Sequence, residues 1–144
     1  MATPSAPAVF LHPAIEVEWV GGALFDAHRH EGPSIGIDAD AKTAPSPVDA
    51  LLASLATCSA TDVVSILHKQ RTPVRRLSVR VEAQRVQITP RRLAAAVLHF
   101  QIEAPGSTTA KASRAVELAV SKYCSVRSSL DPEIPVTWTV DLRT

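Results

Sequence analysis

Aromatic residues are scarce in this chain, with three Phe, two Trp and one Tyr among 144 residues. So few rings leave a core of Ala, Val, Leu and Ile, which suits closely packed helices and sheet. The same scarcity counts against the aromatic platforms on which nucleic-acid bases stack. Net charge is equally thin, a formal +1 at pH 7, so no broad field exists to hold phosphates or an anionic membrane surface. No nucleic-acid partner and no membrane partner is expected. Two cysteines are too few for the disulfide framework of a small secreted domain. The opening Met1-Ala2-Thr3-Pro4-Ser5-Ala6-Pro7 lacks the basic start and apolar centre of an export signal. A cytoplasmic location is expected, where any disulfide is transient. The longest apolar stretch, Val48 to Leu67, carries Asp49 and Asp62, charges that a lipid-spanning segment would have to bury.

What is present is a clear succession of periodic segments. Residues 1–14 form a Pro-rich tail, expected to be mobile, and residues 15–144 have the length of a single domain. Ile15-Glu16-Val17-Glu18-Trp19 alternates as a strand with one buried face, and Gly21-Gly22 supplies a turn. Leu24 to His30 and Ser34 to Asp38 continue a β-meander. Ser46 can cap a helix with Pro47 at its first position and Asp49 in its first turn, where negative charge suits the helix dipole. That helix is expected from Pro47 to about Gln70, and its charge-free stretch Ala50 to Thr61 predicts a segment enclosed on most sides. Leu77, Val79, Val81 and Ala83, then Leu98, Phe100 and Ile102, alternate as two strands paired across Thr89-Pro90. Gly106-Ser107 opens a second helix, with Ala112, Ala115, Val116, Ala119, Tyr123 and Val126 on one stripe. Val136, Trp138, Val140 and Leu142 alternate as a last strand. The order βββ-α-ββ-α-β predicts an α+β fold, an antiparallel sheet around two main helices.

The chemistry lies with the thiols. Cys58 follows Leu51-Leu52-Ala53-Ser54-Leu55-Ala56-Thr57, and Cys124 sits in Lys122-Tyr123-Cys124-Ser125-Val126. A lone cysteine in an apolar helix is most often a small core residue. Cys58, however, falls at the border of the stripe Leu52, Leu55, Ala56, Ser59, Val63 and Ile66, among Leu51, Ser54, Asp62 and Ser65, where a reactive thiol needs partial access. Asp62, one turn on, disfavours the thiolate, so an activating cation must come from another element or another chain. Elsewhere, His28 and His30 share a strand face at a spacing that can bind metal. With no Cys, Asp or Glu partner fixed by the sequence, a wet sheet face is preferred and no metal is expected. Arg71, Arg75, Arg76, Arg91 and Arg92 read as solvated strand ends rather than an RNA patch. Trp19 and Trp138 read as core or dimer-interface residues, and Tyr123 as a packed residue of the second helix.

The run Ser46-Pro47-Val48-Asp49-Ala50-Leu51-Leu52-Ala53-Ser54-Leu55-Ala56-Thr57-Cys58, with Asp62-Val63-Val64 behind it and Arg114-Ala115-Val116-Glu117-Leu118 to Cys124-Ser125-Val126 later, resembles the OsmC/Ohr family over about residues 15 to 142. These are the osmotically induced and organic hydroperoxide resistance proteins, and the likeness is strongest to the OsmC-like branch. The resemblance implies an OsmC-like fold in an intertwined homodimer with active sites at the interface. It also implies that Cys58 attacks a hydroperoxide O–O bond and becomes a sulfenic acid, that Cys124 condenses with it to a disulfide, and that an external dithiol or small thiol reduces the product, with no cofactor. Family peroxidases add an arginine from the N-terminal strands, for which Arg29 is the candidate here. They also add a glutamate ten residues before the cysteine, a position occupied by Val48, with Asp49 the nearest carboxylate. On a straight helix, at about 100° per residue, Asp49 and Cys58 face opposite ways. A rival expectation is a non-catalytic dimer binding a small apolar ligand in its interface cleft, and a weaker third is an RNA-associated module.

Overall fold

Alternation becomes two three-stranded sheets in the computed structural model, which describes residues 3–144. The order is β1 (Ile15–Gly21), β2 (Leu24–Arg29), β3 (Ser34–Asp38), α1 (Pro47–Lys69), β4 (Arg76–Arg85), β5 (Leu93–Glu103), α2 (Thr109–Leu118), a π-helical turn (Ala119–Tyr123), α3 (Ser125–Ser129) and β6 (Val136–Arg143). The protein is therefore α+β. Contacts divide it into two compact units, one up to Ala50 and one from Leu51 to Thr144.

In the N-terminal unit, β1-β2-β3 is an antiparallel meander. Gly21 and Gly22 both take positive φ in the β1-β2 turn, a conformation that only glycine reaches without strain. The registers Trp19↔Phe25↔Ile37 and Val17↔Ala27↔Ile35 set apolar rows on one face, while Glu16↔His28↔Ser34 and Glu18↔Asp26↔Gly36 set polar rows on the other. Trp19, expected in a core or interface, is 67% exposed in the single chain. Its indole N–H donates to the Gly22 carbonyl at 2.8 Å. Asp38 closes the loop after β3, its carboxylate accepting the backbone N–H groups of Asp40, Lys42 and Thr43 and the Thr43 hydroxyl. Residues 3–14 carry no regular secondary structure and are exposed.

In the C-terminal unit, β5 is the central strand. The rows Val81-Leu98-Trp138, Val79-Phe100-Val140 and Leu77-Ile102-Leu142 run across the sheet. Leu98, Phe100 and Ile102 are buried under Leu55, Val63 and Leu67 of α1 and Ala112, Ala115 and Val116 of α2. Each such side chain contributes about 1.5–3 kcal/mol by leaving water.

Five expectations change here. The β5–β6 pair is parallel rather than antiparallel, because the helical connection between them is long enough for a crossover. α1 buries only the stripe Leu55, Ser59, Val63 and Leu67, so it is not enclosed on most sides: Leu51 and Val64 are exposed in the single chain. β5 begins at Leu93 rather than near Leu98, since pairing of Ala95 and Ala96 with Gln84 and Ala83 overrides the helical preference of an alanine run. The second helix begins at Thr109, capped by the Thr108 hydroxyl, which accepts the Lys111 N–H at 3.2 Å. It then widens into the π turn and breaks at Cys124, whose backbone is extended. The wider turn rotates the following residues off the 3.6-residue stripe, and Tyr123 is 50% exposed.

Candidate functional site

The site is built in the C-terminal unit from one residue of α1 and the break after α2. Cys58 lies beside the buried Ser59 on the α1 stripe and is half-buried, as its border position predicts. Cys124 is 3% exposed, in the core cluster with Leu55, Ala119 and Val120. Both are free thiols, and Cys58 packs against the core cluster that contains Cys124, near enough to raise the Cys124 pKa. Chain folding has brought together the two residues singled out from sequence.

The surroundings of Cys124 explain its chemistry. Its extended backbone makes it the cap of α3, with Sγ accepting the Arg127 N–H at 3.3 Å. Its S–H is directed to the Leu55 carbonyl at 3.9 Å. Burial pushes the thiol pKa up, the Ser59 hydroxyl and the Arg127 N–H pull it down, and the neighbouring Cys58 raises it again, for a net upward shift. At neutral pH Cys124 is therefore held as the thiol. Ser59 Oγ donates to the Leu55 carbonyl at 3.0 Å.

Ser59 and the Arg127 amide were not singled out in the sequence as site residues. A serine on an apolar stripe next to a cysteine was the available signal for the first, whereas the second follows from a helix break that periodicity conceals. The Arg127 guanidinium is held by the carbonyls of Asp131, Pro132 and Ile134, a loop-pinning role.

Arg29 and Asp49 belong to the N-terminal unit. Arg29 ends β2 opposite Ile15 and is exposed. Asp49 forms a reciprocal cap with Ser46: its carboxylate accepts the Ser46 N–H at 2.9 Å, and Ser46 Oγ accepts the Asp49 N–H at 3.1 Å. An apolar groove runs along α1, lined by Ala56, Thr57, Ala60, Thr61 and Val64 with Leu77 and Val79 of β4, and neither thiol lines it. A hollow on the polar sheet face, around Ser78, Gln101 and Asp141, is also free of thiols. Neither of these two hollows holds a thiol; Cys58 and Cys124 lie where α1 meets the break after the π turn.

The OsmC-like protein family matches residues 39–139, which spans α1, both cysteines and the first half of β6. Protein YhfA of Escherichia coli strain K12 is 36% identical over 122 residues, covering 84% of this chain and 91% of that protein. Among solved structures, an OsmC-like protein from Mycoplasma pneumoniae superposes with a TM-score of 0.80 at 19% identity, over 94% of this chain and 100% of that one. The organic hydroperoxide resistance protein OhrB of Bacillus subtilis superposes with a TM-score of 0.60 at 14% identity, over 91% and 98%. At such identities these two show the fold alone. With its family match, its relative and its paired thiols in place, the chain belongs to the OsmC-like family of OsmC/Ohr proteins.

Proposed function

We propose that the protein is a thiol-dependent peroxidase that reduces organic hydroperoxides in oxidative stress defence. The observation that carries the proposal is the neighbouring pair of free thiols, Cys58 half-buried and Cys124 buried with its pKa raised. In this scheme the Cys58 thiolate attacks the terminal peroxide oxygen. The O–O bond breaks, an S–O bond forms, and the alkoxide leaves as the alcohol with the proton released by the thiol. Cys124 Sγ then attacks Cys58 Sγ. Its proton joins the departing hydroxide as water, and the two sulfurs close a disulfide. An external dithiol or small thiol restores both thiols by exchange. No other cofactor enters the cycle, and a reducing cytoplasm would supply the reductant.

A buried, protonated Cys124 suits second place: it is withheld from bulk peroxide and meets a sulfur electrophile beside it. Arg29 is proposed to steady the charge developing on the leaving oxygen. Asp49 enters as the carboxylate nearest the glutamate position of family peroxidases, and its carboxylate also caps α1. We also propose a homodimer within which residues 15–144 act as one domain. The exposed row Ile15, Val17 and Trp19 and the uncovered face of α1 support it, since open apolar surface calls for a partner. The apolar α1 groove favours a second reading, a dimer that binds a small apolar ligand without turnover.

Reduced protein mixed with a slight excess of cumene hydroperoxide distinguishes the two. Loss of both thiols, with mass spectrometry locating a Cys58–Cys124 disulfide, is expected, as is complete loss of turnover in Cys58→Ser. Full peroxide consumption by Cys58→Ser, or two unreacted thiols in the wild type, would overturn the peroxidase assignment.

A further inference from the structure

The polar face of the β1-β2-β3 sheet gathers residues that play no part in the thiol cycle. Glu16 stands opposite His28 in the antiparallel register, and Glu18 follows Glu16 by two, so all three side chains leave the same face. One ligand atom from each of Glu16, Glu18 and His28 lies within 4.8 Å of the others. His28 Nε2 is 3.8 Å from a Glu18 carboxylate oxygen. Around a tetrahedral zinc with bonds near 2.1 Å, neighbouring ligand atoms are about 3.4 Å apart. Small torsional changes in two flexible glutamates cover the remaining distance.

Two further observations point to a cation there. His28 Nδ1 is 2.7 Å from the Arg29 carbonyl oxygen. A carbonyl only accepts, so Nδ1 carries the hydrogen, and in the neutral ring Nε2 presents its bare lone pair toward the Glu18 carboxylate. Lone pair facing carboxylate is repulsive, and a positive centre on Nε2, a proton or a metal ion, relieves it. This is also how metal-bound histidines are held, with the second ring N–H donated to a backbone carbonyl. Glu16 is oriented in the same manner, by His30 Nδ1 at 3.0 Å from Oε1. Secondly, the two rows of this face, Glu16-His28-Ser34 and Glu18-Asp26-Gly36, contain three carboxylates and no Lys or Arg. Arg29 points to the opposite face of β2 by alternation.

We propose that Glu16, Glu18 and His28 form a binding site for a divalent first-row metal ion, zinc being the best match to one imidazole and two carboxylates. His30 and the Arg29 carbonyl are its positioning groups. Three protein ligands leave the fourth position to water, and the largely exposed Glu18 side chain opens the site to solvent. From sequence, His28 and His30 lacked a carboxylate partner; strand pairing supplies two. Protonated His28 paired with the glutamates is the competing account, and metal titration separates them.

The test is isothermal titration of the wild-type chain with Zn²⁺ after chelator treatment, paralleled by Co²⁺ absorption and by NMR of the histidine ring protons. One Zn²⁺ per chain is expected, with the His28 resonances shifting on binding. Co²⁺ should give weak visible bands without the intense charge-transfer absorption of thiolate ligation, which places the ion away from Cys58 and Cys124. His28→Gln and Glu18→Gln should each weaken binding at least tenfold, and His30→Ala by about tenfold, the low end for an outer-shell partner. Unchanged metal-free thermal melts would show that these surface variants still fold. Absence of saturable binding, thiolate bands accounting for all bound Co²⁺, or affinity surviving in the His28→Gln/Glu18→Gln double variant would each overturn the proposal.

Discussion

The two sheets obey the same local rule and meet different fates. β1-β2-β3 and β4-β5-β6 each place apolar residues on one face and polar residues on the other. In the C-terminal unit the apolar face is roofed by α1 and α2, and Leu98, Phe100 and Ile102 are buried. In the N-terminal unit Ile15, Val17, Trp19 and Ile35 remain exposed in the single chain. Strand formation therefore needs only alternation and register, whereas core formation needs a second element to cover the face.

The comparison can be sharpened from its strongest point downward. Phe100→Ala should cost about 3–5 kcal/mol of unfolding free energy, because it empties the centre of the roofed sheet. Urea titration of the variant measures it, and a loss under 1 kcal/mol would mean that the face is loosely packed. Trp19→Glu, on the open face, should leave unfolding of the isolated chain nearly unchanged yet weaken self-association by roughly 100-fold, about 2.7 kcal/mol. Sedimentation velocity over a dilution series reads this, and unaltered association would remove Trp19 from any interface between copies.

The thiols carry the same contrast of covered and open positions. Iodoacetamide should modify Cys58 first, as the more exposed thiol. Burial raises the Cys124 pKa, so its alkylation should climb only above the ordinary thiol range near pH 8.5. Peptide mapping across pH 7 to about 11 follows both sites. Equal labelling at neutral pH would contradict the buried, protonated state on which its second place in the cycle depends.

The smallest effect concerns Asp38. Hydrogen bonds from the Thr43 and Asp40 backbone N–H groups lead the causes that lower its pKa. A carboxylate depressed in the folded state stabilises above its unfolded pKa, near 3.9, and loses that contribution as pH falls through the folded value. Asp38→Asn should thus be less stable than wild type at neutral pH, with the gap closing below about pH 4. Thermal melts at several pH values measure it, and a gap independent of pH would assign Asp38 a purely steric role in the loop.

Much of the fold was legible because its signals are local. Glu16, Val17 and Glu18 alternate, Gly21-Gly22 turns, and Ser46-Pro47 with Asp49 starts α1 at the expected residue. Ser34 to Asp38 forms the expected third strand. The candidate site was half legible. Both cysteines and the border position of Cys58 could be read from spacing, but the Arg127 amide on Cys124 could not, because it depends on the π turn and the break after Tyr123. Nor could the exposure of Tyr123, since an uninterrupted helix would have kept it on the buried stripe.

By itself, then, the sequence determined the α+β order, the faces of the strands, the start of α1 and which two residues carry thiols. All of these follow from repeats of two or 3.6 residues and from side-chain identity. Tertiary structure alone decided that β6 runs parallel to β5, that one sheet is roofed while the other stays open in the single chain, that Cys58 meets Cys124, and that two glutamates gather at His28. Each of those depends on contacts between residues in different elements, whose partners no local period specifies.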